Sequence, residues 1–170
     1  MGKYLIPIAT VILVVSAILI FSNTARYELA KRMNMISAGS YAFSESYNLP
    51  YSEASVIKAI EKFKEKNPKY KVPEVSIFSN NSFTLEDSRS ENGLWFVAYL
   101  YDSKENKILN IAIRGNENNS TLEFASINNG LRLGNWKDIN RDFSYNENQQ
   151  LKNRFEESYL NPIKKLLENN

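Results

Sequence analysis

The sequence predicts an α+β protein. A single N-terminal transmembrane helix is followed by a small domain, an antiparallel β-meander of about four to six strands packed by an amphipathic helix before it and a long helix after it. Three observations lead there. Leu5 to Phe21 is an uncharged apolar run. Residues 72–136 hold short stretches of β-branched and aromatic residues punctuated by Asn and Gly. The flanking segments repeat apolar residues at helical spacing.

With Tyr4, the apolar run is about 27 Å long at 1.5 Å per residue, against a hydrocarbon core of about 30 Å. Tyr4, Phe21 and Tyr27 lie at or beside its ends, where aromatic residues favour a membrane interface. Pro7 falls in its first turn, where a missing N–H costs little. A cleaved signal peptide is the rival reading. Its best cleavage point, Asn23-Thr24-Ala25, puts a polar Asn where a small residue is needed, so the expectation is an uncleaved anchor.

Arg26, Lys31 and Arg32 follow the run and are candidates to face the membrane surface. Counted against Lys3, they place the following domain in the cytoplasm by the positive-inside rule. The short basic tail before the run argues the opposite, as in a signal anchor. The expectation carried forward is a bacterial inner-membrane protein with an extracytoplasmic domain. The partition is 4–21 anchor, 22–44 juxtamembrane helix and connector, and 45–170 folded domain.

Along the chain, Thr24 can cap a helix running to Met33, with Gly39 as its stop. Residues 38–51 read as a connector whose Tyr41, Phe43, Tyr47 and Tyr51 pack it against the domain. Ser52 then caps an amphipathic helix with Val56, Ile57, Ile60 and Phe63 on one face, ended by Asn67-Pro68. Lys58, Lys62 and Lys66 mark its solvated face.

Strands are expected at 72–78, 82–86, 93–101, 107–114, 121–127 and 131–136. The third is apolar on both faces, as a central strand is. In 121–127, Leu122, Phe124 and Ser126 alternate with Glu123, Ala125 and Ile127. Ser144 to Glu147 fits a capping box. The last helix carries Leu151, Phe155, Tyr159, Ile163 and Leu167, and Pro162 should kink or break it near Asn161. This order resembles small cone-shaped folds of the cystatin or nuclear-transport-factor kind in architecture alone.

Composition excludes more than it suggests. The chain has no His and no Cys, which removes disulfides, thiolate nucleophiles, Cys/His zinc sites and every His general base. Net charge is +2, so nothing demands nucleic acid as a partner. Its 22 Asn read as the bias of an AT-rich genome. Ile111-Ala112-Ile113-Arg114-Gly115, followed by Trp136-Lys137-Asp138, resembles a short region of class 3 lipases. The Gly-x-Ser-x-Gly elbow and the His of that family are missing, so the resemblance implies at most an inactive relative.

Two charged clusters remain as candidates for chemistry: Glu86, Asp87 and Arg89, and Asp138, Arg141 and Asp142. Converging carboxylates could act on lipid or cell-wall material, but ion pairing in turns is the commoner use of such residues. The candidate interaction surface is Trp95, Tyr99 and Tyr101, on one face of the central strand, with Trp136 beyond the meander. The expected function is a membrane-anchored, non-catalytic module that recognises another protein, as an envelope-complex subunit or a toxin-immunity protein does. It needs no cofactor, metal or nucleic acid. The alternatives are a carboxylate-dependent enzyme and a self-associating spacer.

Overall fold

The computed structural model describes residues 5–34, 40–77, 81–91 and 93–169. The chain forms two compact units, Met1–Ala42 and Phe43–Asn170. The first holds α1 (Leu5–Phe21) and α2 (Asn23–Asn34).

The expected transmembrane anchor is not formed. The α1 helix has 17 residues, about 25 Å at the helical rise. No helix among the described residues is long and apolar enough to cross a membrane. The helix stops where the apolar run stops. Ser22 is non-helical, and its Oγ accepts the Ala25 N–H at 3.2 Å, so it starts the polar helix α2 and leaves α1 unextended. The single-pass anchor, the inner-membrane location and the extracytoplasmic placement fall together. Lys31 lies 3.9 Å from Glu28 and 5.9 Å from the Tyr27 ring. Tyr4, Gly39 and Phe78, which entered the expectations, lie outside the described residues.

The second unit is α+β. Its elements are β1 (Glu45–Leu49), α3 (Glu53–Lys66), β2 (Val75–Ser76), β3 (Ser82–Phe83), β4 (Ser88–Arg89), β5 (Phe96–Asp102), β6 (Lys107–Gly115), β7 (Ser120–Asn129), β8 (Trp136–Asp138), α4 (Tyr145–Phe155) and α5 (Asn161–Glu168). The main sheet is antiparallel in the order β1-β7-β6-β5-β4, with β8 also pairing β7. A separate ribbon joins β2 to β3. The meander β5-β6-β7 is as the sequence suggests, but β1 lies in the segment read as connector. It is half-polar, and its place beside β7 is a pairing across more than seventy residues that no local signal reveals.

Register assigns the two faces. Phe96–Ile113–Leu122–Tyr47, Ala98–Ile111–Phe124 and Leu100–Leu109–Ile127 are rows on one face. There they meet Val56, Ile60 and Phe63 of α3, Phe155 of α4 and Ile163 and Leu167 of α5 in one core. A bulge allows this. Asn110 pairs Ser126 while Ile111 pairs Phe124, so Ala125 is an extra residue in β7. The strict alternation read from the sequence would have put Ile127 on the opposite face. The extra residue returns it to the core beside Phe124 and bends the sheet.

Pro162 neither ends nor breaks the final helix. A single π turn, Glu156–Leu160, precedes it, with the Asn161 N–H donating to the Glu156 carbonyl. The wider turn accommodates a ring that has no N–H and crowds the preceding carbonyls. Two residues of this turn reach the sheet or its loops. Tyr47 donates to Glu156 Oε1 at 3.0 Å, and Tyr159 bonds to Asp102.

Ser144 caps α4 and forms the expected reciprocal box with Glu147. The Ser144 hydroxyl, and then its backbone N–H, hold the Glu147 carboxyl below its ordinary 4.5. Ser144→Ala should cost about 1 kcal/mol in urea unfolding. A carboxyl lowered on folding stabilises above its unfolded value and loses that contribution as pH falls through its folded value. The gap between wild type and Ser144→Ala should therefore narrow below about pH 4. A gap that holds its size down to pH 2 would show that the box is not made in solution.

Candidate functional site

The face of the sheet away from the helices is built from the alternate residues of the same strands. Its rows are Tyr101–Ile108–Asn128–Trp136, Tyr99–Asn110–Ser126–Asp138 and Val97–Ala112–Glu123–Ser46, then Arg114–Thr121–Asn48. Trp95, one step before β5, continues the series Tyr101, Tyr99, Val97 and lies beside Arg114, whose guanidinium carbon is 5.8 Å from its ring centroid. The four aromatic residues singled out from the sequence thus share one face, and all four are half-buried. Period-two alternation in β5 delivers three of them. Trp136 arrives through the pairing of β8 with β7.

Tyr99 and Trp136 stand on strands separated by β6 and β7, yet their ring centroids are 6.1 Å apart. Between those strands lie Asn110 and Ser126. The Asn110 amide donates to Ser126 Oγ at 3.4 Å, and Asn110 Oδ1 is buried with no partner among the described residues. Asn128 is fully buried. It donates to the Gly130 and Arg132 carbonyls and accepts from the Asn135 N–H, which holds the 130–135 loop. The face thus combines aromatic side chains with a polar floor. Burial, then the nearby Asp87 carboxylate, raises the Tyr99 hydroxyl above its ordinary value, so it remains a neutral donor at any physiological pH.

The carboxylates proposed for catalysis are not gathered. Asp87 precedes β4, on one edge of the sheet. It accepts Lys64 Nζ at 2.6 Å and the Tyr99 N–H at 3.0 Å. Asp138 sits on β8, at the opposite edge, with β5, β6 and β7 between. Arg141 lies 2.9 Å from Asp138 and 3.0 Å from Asp142, while Asp142 Oδ2 also accepts the Asp138 N–H. Burial raises the Asp138 carboxyl despite Arg141. Glu86 is exposed, and Arg89 pairs with Glu53. No group of three potential metal ligands exists among the described residues.

Sequence reasoning missed Glu53, Glu123 and Asn128. Glu53 reads as an ordinary first-turn acid of α3, yet it joins Arg89 to the Gly115 N–H, which it accepts at 2.8 Å. Glu123 is 8% exposed, and its Oε2 accepts both the Ser44 and Ser46 hydroxyls at 2.5 Å. A charged residue amid the apolar β7 was the signal available for it. Beside it a cavity of about 850 Å³ opens at the Trp95 end of the face.

Comparison of the chain with protein-family models, with curated proteins and with solved structures found no match.

Proposed function

We propose that the Phe43–Asn170 unit is a non-catalytic binding module that grips another protein through the helix-free face of its sheet. The observation that carries the reading is the gathering of Trp95, Tyr99, Tyr101 and Trp136, all half-buried, on that one face. Tyr and Trp bring large contact area at low entropic cost and carry a polar tip, so they dominate the energetic centres of protein interfaces. The ion pairing of the carboxylates supports the same reading, because Asp87 is held by Lys64 and Asp138 and Asp142 share Arg141.

The test is site-specific photo-crosslinking in the producing cell, with a benzophenone side chain replacing Tyr101. The control replaces Glu61, which is exposed on α3. A discrete adduct from position 101, absent from position 61, is expected. Trp136→Ala should weaken the isolated complex by about 2 kcal/mol, roughly thirtyfold. An adduct with a second copy of the chain would identify a spacer that self-associates. Equal adducts from both positions, or an adduct indifferent to Trp136→Ala, would remove the reading.

A further inference from the structure

Glu123 is a buried carboxylate with no cationic side chain paired to it among the described residues. It is 8% exposed and forms no ion pair among the described residues. Its Oε2 is saturated by the Ser44 and Ser46 hydroxyls, and its Oε1 has no partner among those residues. Buried charges are ordinarily paired, because desolvation costs several kcal/mol and hydroxyls alone return only part of it. Glu123 also lines the cavity of about 850 Å³, with Trp95, Arg114, Asn48, Thr121 and Ser120 around it. Arg114, which also lines the cavity, sets its guanidinium over the Trp95 ring and forms no ion pair with Glu123 among the described residues.

We infer that this cavity receives a lysine or arginine side chain of the bound protein, with Glu123 as its counter-ion. The cavity adjoins the aromatic face, since Trp95 belongs to both. A segment lying on Tyr99 and Trp136 can therefore place a long side chain in it. The carboxylate supplies the charge, the Asn48 side chain supplies a polar contact, and Trp95 forms an apolar wall for the methylene stem. The Ser44 and Ser46 hydroxyls hold the carboxylate in place before the cation arrives, so little reorganisation is needed on binding.

The inference rests on the protein-binding reading for the source of the cation, but its test does not need the partner. The full chain, labelled with 15N, is titrated at low salt with N-acetyl-arginine amide, N-acetyl-lysine amide, N-acetyl-glutamate amide and spermidine. Saturable shifts of the Ser120 to Glu123 amides and of the Trp95 indole N–H are expected with at least one of the two basic amides. Glu123→Gln should weaken that binding about tenfold or more. Arg114→Glu, at an exposed position that tolerates change, should tighten it by removing a like charge and adding a second carboxylate. Shifts with the glutamate amide alone would make Arg114 the binding group, and shifts with spermidine alone would make the site one for small polyamines. Either result, no saturable shift, or indifference to both substitutions overturns the inference. A positive titration without an adduct at position 101 would fault only the partner reading. An adduct at 101 without a cation-dependent shift would fault only this one.

Discussion

Phe155→Ala is expected to cost about 3–5 kcal/mol, a large part of the roughly 5–15 kcal/mol that holds a domain together. Phe155 is fully buried at the end of α4, where that helix passes into the π turn. Its ring stacks on Phe124 of β7 with centroids 4.3 Å apart, and it meets Tyr47 at 5.7 Å and Tyr159 at 6.0 Å. One side chain thus links a central strand, an edge strand and the C-terminal helix. Its surroundings collapse poorly, because Phe155 and Phe124 already line a cavity of about 490 Å³ between α4 and the sheet. Removing the ring enlarges that space. Urea unfolding should show a lower midpoint with an unchanged slope. A cost below about 1 kcal/mol would mean that α4 settles onto the sheet and fills the gap.

The second large effect belongs to Arg154. Its Nε lies 2.5 Å from Asp102 Oδ2, and its Nη2 donates to Oδ1 at 2.8 Å. Nη1 reaches Glu105 at 3.0 Å. Asp102 is nearly buried, and its Oδ1 also accepts the Lys104 and Glu105 N–H groups that turn the chain from β5 into β6. Arg154→Ala strands this carboxylate in a site it shares with the buried Tyr159. That hydroxyl is already pushed above its ordinary value by burial and then by Asp102. The expected cost is about 2–3 kcal/mol. It falls below that of a fully enclosed pair because the Arg154 side chain is 34% exposed and partly screened. Asp102→Ala with Arg154→Ala should cost clearly less than the two single changes summed, because the double variant leaves no orphaned charge. A double-mutant cycle in urea measures this, and strict additivity would show that the pair is not coupled.

The candidate face was partly legible in advance. Trp95, Tyr99 and Tyr101 announce themselves by alternation in β5, since a strand sends every second side chain to the same side. That Trp136 joins them could not be read locally. It depends on β8 pairing β7 and on the bend introduced by the extra residue Ala125. Glu123 was hidden for a related reason. Its serine partners lie more than seventy residues away on and just before β1, a strand that reads as a polar connector. The charged clusters were visible as clusters, but only packing showed that Asp87 belongs with Lys64 and Asp138 with Arg141, on opposite edges of the sheet.

By itself the sequence determined what neighbouring residues settle among themselves. The amphipathic face of α3, the Ser144 box of α4, the turns of the β5-β6-β7 meander and the lack of His- or Cys-based chemistry all rest on spacing or identity within a few residues. The tertiary structure alone decided what depends on distant partners or on where an element stops. It ended α1 at Phe21 and overturned the membrane anchor, placed β1 beside β7, and set a π turn before Pro162. It also buried Glu123 beside a cavity with no cationic side chain paired to it among the described residues. The physical reason is common to all of these. Helix periodicity, caps and tight turns are local free-energy preferences, whereas strand pairing, bulges and buried charges are set by contacts whose closure entropy is repaid only when the whole sheet forms.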